Sequence, residues 1–189
     1  MGKRKHLDKI EELFKKSNVV SFDAIERITK GYSKTLINNL LNKKKIQRLT
    51  KGYYTTRNEA ALAVHCFKPS YLGLQSALSF HNLWEQETIP IIITSNKIRQ
   101  GIRKVMETNI LIRRIDKKHN FGFEYYNDSG FALPYSDIEK TLIDMIVFKE
   151  KINDQTLAEI KKKLDIKKLE KYLEKYPKKI RKEIRNRIR

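Results

Sequence analysis

From residue 7 to residue 55, apolar positions recur at helical spacing in three segments and then switch to short strand-like runs. Leu7, Ile10, Leu13 and Phe14 share one face of a first helix. Ser21 can cap a second, whose apolar positions are Phe22, Ala24, Ile25 and Ile28. Gly31 follows, a residue suited to a left-handed stop. Ser33 then caps a third helix with Leu36, Ile37, Leu40 and Leu41 on one face. Its other face carries Thr35, Asn38 and Asn42, flanked by Lys34, Asn39 and Lys43. The run IQRLTKGYY after it reads as a hairpin around Lys51-Gly52.

The rest of the chain alternates between the two periods. Residues 58–66 predict a short helix, broken by Pro69. Ser70 is placed to cap a helix over 71–83 that buries Leu72, Leu74, Ala77, Leu78 and Phe80. Strands are predicted in TIPIIITSN, NILIRRI, FGFEYYN and GFALPYS, the last two joined through Asn127-Asp128-Ser129-Gly130. Helical spacing returns over 137–148, with Ile138, Leu142, Ile143, Ile146 and Val147 inward. From Asp154 the pattern is helical and basic. Leu157, Ile160 and Leu164 form one stripe, and Ile166, Leu169, Leu173 and Tyr176 another. Pro177 opens a last helix in which Ile180, Ile184 and Ile188 recur every four residues. The expected class is α+β, with a domain at 1–57, a mixed α/β domain at 58–189, and basic helices from about 150 to 189.

Any helical hairpin in a core shows apolar spacing of this kind, and a Lys-Gly turn is common. The order is more specific: apolar helix, helix, helix with a polar face, basic hairpin. That order predicts a winged helix-turn-helix, with the third helix in a major groove of double-stranded DNA. Thr35, Asn38 and Asn39 are the expected base contacts, because short amides and hydroxyls match base-edge donors and acceptors. Ser33, Lys34 and Lys43 are the expected phosphate contacts, and Arg48, Lys51 and Tyr53 the expected wing contacts.

Charge supports that reading through its distribution. The chain has 41 Lys and Arg against 22 Asp and Glu, a formal charge of +19. Residues 1–57 hold 15 basic and 5 acidic, 58–148 hold 10 and 10, and 149–189 hold 16 and 7. A Lys-rich composition alone would spread the excess evenly. Its concentration at the two ends points to polyanion contact there. In the last helix, Lys178, Lys179, Arg181, Lys182 and Arg185 form a possible second basic contact. The same helix could instead dock a partner through its isoleucines, or simply be solvated. Its narrow apolar face, lacking Trp, Phe and Leu, disfavours a membrane surface.

Apolar content of 40% is enough for a packed core. The single cysteine, Cys66, forbids an intramolecular disulfide and fits a reducing cytoplasm. The basic start has no apolar stretch of the secretory kind, and no run approaches the roughly 20 residues of a membrane helix.

No constellation for catalysis emerges, so an enzyme is not expected. The seven glycines form no phosphate-binding loop, and no GxSxG elbow occurs. His6, His65, His81 and His119 lack metal spacing, so neither metal nor cofactor is expected. Glu124, Asp137, Glu139 and Asp144 are the strongest case for a metal-dependent nuclease. Yet Asp137 also reads as a first-turn acid after an N-cap Ser136, with Glu139 closing an S-x-x-E capping box. Phe121, Phe123, Tyr125 and Tyr126 could stack single-stranded bases, but strand alternation makes half of them core by default.

Together the Lys51-Gly52-Tyr53-Tyr54 ending of the N-terminal unit, SYLGLQSALSFHNLW, IPIIITSNK and ALPYSDIEKTLIDMI come in an order similar to one family. The chain resembles the AbiEi-type antitoxins of abortive-infection toxin–antitoxin systems over about three quarters of its length. The resemblance implies an N-terminal domain that binds and represses its own promoter. It also implies a C-terminal domain that counters a nucleotidyltransferase-like toxin encoded beside it. Without the resemblance, the residues point to a plain DNA-binding transcriptional regulator.

Overall fold

The computed structural model describes residues 2–189, with side chains from His6 onward; Met1 and the side chains of 2–5, part of the basic start noted above, lie outside the described residues. Three helices and a small sheet make the N-terminal unit: α1 (Gly2–Lys16), β1 (Val20–Ser21), α2 (Phe22–Thr29), α3 (Ser33–Asn42), β2 (Gln47–Thr50) and β3 (Tyr53–Thr55). The strands are antiparallel in the order β1-β3-β2. Ile10, Phe14, Val20, Ile25, Leu36, Ile37, Leu40, Ile46 and Tyr54 form its core, the stripes expected from the periodicity. Each fully buried side chain of this size contributes about 1.5–3 kcal/mol relative to exposure. The Ser21 hydroxyl caps α2 by accepting from the Ala24 N–H. The αL stop begins one residue earlier than expected, at Lys30 (φ 47°), and Gly31 extends it at φ 96°. Open space surrounds Gly31, so its backbone angle and not crowding calls for glycine.

The remainder is a six-stranded mixed sheet with helices. In chain order it contains a 3-10 helix at Ala60–Phe67, β4 (Ser70–Leu72), α4 (Gln75–Phe80), β5 (Ile91–Thr94), β6 (Gly101–Val105), β7 (Thr108–Arg114), a 3-10 turn at Lys117–His119, β8 (Phe123–Asp128), β9 (Phe131–Ser136), α5 (Ile138–Val147), α6 (Asp154–Lys163), α7 (Ile166–Leu173) and α8 (Lys178–Ile188). The strand order is β6-β7-β5-β4-β9-β8, with β4–β9 and β5–β7 parallel. The class is therefore α+β, with two sheets among the described residues.

Both faces of this sheet are covered, and alternation along its strands divides the core in two. Tyr71, Ile91 and Ile93 face the helical layer of α4–α8. Leu72, Ile92, Ile110, Ile112 and Leu133 face the 3-10 helix Ala60–Phe67. Leu49 of β2 packs into this second cluster, so the N-terminal unit is seated on the sheet through its hairpin and not merely tethered at residue 57.

Three expectations are corrected here. The helix expected over 71–83 is a strand followed by a short helix. Ser70–Leu72 is buried on both faces between β5 and β9, and a short apolar run of that kind has no period that separates strand from helix. Leu74, at φ 54°, turns the chain into α4. Strand β6 was not expected, because its run GIRKV mixes charges with aliphatics at a sheet edge. Ser136 does not cap α5: Asp137 does, accepting from the Lys140 N–H at 2.8 Å. Glu139 reaches away and accepts from the Asp165 N–H at 2.8 Å, so the capping box is not formed.

Candidate nucleic-acid interface

Helix α3 owes its two faces to its anchoring. Leu36, Ile37 and Leu40 are buried beneath it. That fixes Lys34, Thr35, Asn38, Asn39, Asn42 and Lys43 outward, all exposed. None of these six side chains makes a hydrogen bond or ion pair among the described residues. The outward face therefore offers amides, a hydroxyl and two ammonium groups to water alone. Lys44 and Lys45 extend it, with Lys45 reaching the exposed Glu11 at 3.3 Å.

The hairpin of β2 and β3 follows α3 in the chain. Lys51 lies at its tip, next to Gly52 at φ 81°, and is exposed. Gly52 accepts from the Phe22 N–H at 2.7 Å, pinning the tip to the start of α2. Arg48 is exposed and lies over the Tyr54 ring at 5.9 Å.

Two of the expected contacts sit elsewhere. Ser33 is 1% exposed, and its hydroxyl donates to the Glu26 carboxylate. It is the first residue of α3 and not its cap; the cap position is Tyr32, with no side-chain capping bond. A hydroxyl so enclosed ties α3 to α2 and has no surface for a phosphate. Tyr53 is half-buried on the side of β3 opposite Tyr54, where it packs against the cluster beneath the large sheet. Period-two alternation sends Tyr54 into the N-terminal core and so sends Tyr53 to the junction.

The last helix presents a second cationic face. Ile184 is fully buried, and Ile180 and Ile188 pack against the helical core. The isoleucine stripe is thus consumed within the chain, which removes it as a docking surface. Lys178, Arg181, Lys182, Arg185, Asn186 and Arg189 line a shallow groove along the outer side, and Lys179 is exposed beside them. Arg185 is already engaged, donating to both Glu170 oxygens at 2.9 and 2.5 Å.

The mid-chain carboxylates are held differently. Asp144 is fully buried, paired with Lys140 one turn away, and accepts from the Tyr71 hydroxyl at 2.7 Å. Burial pushes the Asp144 carboxyl up and the Lys140 ammonium down, and their mutual attraction opposes both shifts. Burial beside Asp144 also pushes the Tyr71 phenol well above its ordinary value. Asp137 accepts from the Tyr172 hydroxyl at 2.8 Å and lies 3.0 Å from the Lys168 ammonium. The same ammonium is 3.5 Å from Glu139. Gly122, at φ 72°, lets the chain pass this cluster; a Cβ there would lie 2.9 Å from Lys140 Cβ and 3.0 Å from Tyr172. Glu124 points away on the exposed side of β8. These four carboxylates share no open face, and no group of three His, Cys, Asp or Glu stands at metal-holding distances among the described residues. The cluster instead bolts α5 to β4 and α7. Its signal in the sequence is a Lys and an Asp one turn apart on a helix whose remaining positions are mostly apolar.

The remaining singled-out residues have structural partners. His81 Nε2 lies 2.8 Å from the Ser136 carbonyl. His119 stacks on Tyr176 with centroids 4.1 Å apart. Burial pushes the Cys66 thiol up to about 12, so it stays protonated. Phe121 and Phe123 pack on the core, while Tyr125 is exposed. No helix among the described residues is long and apolar enough to cross a membrane.

Neither a family model nor a curated protein matches the chain. Among solved structures it is similar in fold to the RV2827C protein of Mycobacterium tuberculosis. The TM-score is 0.62 at 11% identity, over 92% of this chain and 72% of that one.

Proposed function

We propose that residues 1–57 form a winged helix-turn-helix and that the chain is a DNA-binding transcriptional regulator. Helix α3 lies in the major groove, with Thr35, Asn38 and Asn39 at base edges and Lys34 and Lys43 at phosphates. Arg48 and Lys51 of the hairpin meet the neighbouring backbone. The observation that carries this reading is the outward face of α3: six polar side chains, exposed and without a partner among the described residues. Helix α8 adds a sequence-independent phosphate contact through Lys178, Lys179, Arg181 and Lys182.

The resemblance to AbiEi-type antitoxins extends the proposal. The protein represses its own promoter from the N-terminal unit, and the sheet domain counters a nucleotidyltransferase-like toxin encoded beside it. A reporter driven by the chain's own upstream DNA tests the first part. Expression falls with the wild-type protein and recovers with Asn38→Ala; an unaffected reporter refutes the repressor reading. Co-expression with the adjacent gene product tests the second. Growth arrest relieved by this chain supports the antitoxin assignment, and arrest that it does not relieve leaves a regulator alone.

A further inference from the structure

A cleft of about 440 Å³ runs between the N-terminal unit and the large sheet. That size suits a small molecule. One wall holds Lys16 at the end of α1, Asn18 before β1, and Tyr53 of β3. The other holds His65 of the 3-10 helix, Lys68 just after it, and Tyr125 of β8. No carboxylate lines it among the described residues.

The lining is chemically uneven in one direction. The Tyr125 ring is 55% exposed on an edge strand and lies parallel to His65, 5° between planes and 6.3 Å between centroids. The side chains of Asn18 and Lys68 make no hydrogen bond or ion pair among the described residues. Lys16 has only an exposed one-turn pair with Glu12. Burial, with Lys68 nearby, holds His65 below its ordinary value, which favours the uncharged ring as a stacking surface. Exposed aromatic rings give a planar base a face to stack on, and free ammonium groups attract phosphate. The Asn18 amide, in the same lining, can read a base edge or ribose.

We infer that this cleft binds a free mononucleotide, its base against Tyr125 and His65 and its phosphates facing Lys16 and Lys68. The ligand bridges the two halves through Tyr53, so its occupancy changes the affinity of the N-terminal unit for DNA. This last step rests on the DNA-binding reading; the site itself does not.

The test begins without DNA. Calorimetric titration of the full chain with ATP, GTP, AMP, adenosine and pyrophosphate should give one site, strongest for the nucleotides and weaker for adenosine or pyrophosphate alone. Tyr125→Ala and Lys68→Ala, both at exposed positions, should each weaken binding about tenfold. Lys171→Ala, at an exposed position of α7 outside the cleft, should not. The assignment is overturned if no nucleotide binds at millimolar concentration. It is equally overturned if binding survives both cleft substitutions, or if a single-stranded oligonucleotide binds there and mononucleotides do not. DNA affinity is then measured with and without saturating nucleotide. A change in the wild type that Tyr125→Ala abolishes supports the coupling. Nucleotide binding with unchanged DNA affinity overturns the coupling alone. Loss of all DNA binding refutes the regulator reading and leaves the site standing on the first titration.

Discussion

Helices α3 and α5 are both ten residues long and both carry charge, yet they treat it in opposite ways. In α5, Glu139, Lys140 and Asp144 are buried, and each has a partner: Asp165 and Lys168, Asp144, or Lys140 with Tyr71. On the outward face of α3 and its C-cap, Lys34, Asn38, Asn39 and Lys43 are exposed and have no partner among the described residues. Paired charge inside a domain specifies how its parts meet, whereas unpaired charge on a rigid face is available to something outside the chain. The comparison separates structural polarity from candidate recognition better than residue type does, since Lys34 and Lys140 are the same residue in opposite settings.

The contrast breaks most visibly in α5. Asp144→Ala leaves the Lys140 ammonium buried without its counter-charge, and about 3–5 kcal/mol of stability should be lost in urea titration. Replacing both partners by Lys140→Met with Asp144→Leu should cost less than either single change, because no orphaned charge remains. A single substitution costing under about 1 kcal/mol would mean that the pair is not the bolt described.

Next in size is α3. Asn38→Ala should leave the urea midpoint unchanged and weaken binding to the native upstream duplex by about 1–3 kcal/mol, with little effect on a scrambled one. A fall in stability instead would place Asn38 with the structural residues.

Alkaline pH sharpens the α5–α7 half. Burial lowers the Lys168 affinity for its proton, but the hydrogen bond and charge of Asp137, with Tyr172 and Glu139, outweigh it. The folded value is raised above the ordinary 10.5. A group raised on folding stabilises fully below its unfolded value and loses that contribution as pH climbs through the folded one. Tyr172, also raised by burial and Asp137, acts in the same direction. Melting temperature should therefore drop above about pH 10.5, and Lys168→Met should flatten that drop. A profile identical to the wild type would dissolve the link between α7 and Asp137.

The smallest effects lie in salt dependence. Lys51→Ala should weaken native and scrambled duplexes alike and reduce the salt slope by about one. Lys182→Ala on α8 should reduce it by less than Lys51→Ala does. An unchanged slope for Lys182→Ala would remove α8 from the DNA surface.

The sequence made the N-terminal unit readable because each element there has one buried face. Ile10, Ile25 and Leu36 each belong to a stripe of helical period in their own helix, and Lys51-Gly52 marks the turn. The sheet domain was harder. Ser70–Leu72 is buried on both faces, so no period distinguished it from helix, and edge strand β6 carried too many charges to look like a strand. Of the candidate contacts, Lys34, Thr35, Asn38, Asn39, Lys43, Arg48 and Lys51 are exposed where periodicity put them. Ser33 and Tyr53 are not. Ser33 meets Glu26, seven residues earlier, across a turn that spacing does not resolve. Tyr53 turns toward a domain that begins after it. Both depend on tertiary contacts, as does the Lys140–Asp144 pair.

The central claim is that α3 reads DNA sequence. Fluorescence anisotropy of the full chain on its own upstream duplex and on a scrambled one, across a salt series, tests it directly. The account predicts tight binding that persists with salt on the native duplex only, and loss of that difference in Asn38→Ala. Equal, salt-labile binding to both duplexes, unchanged by Asn38→Ala, would contradict it.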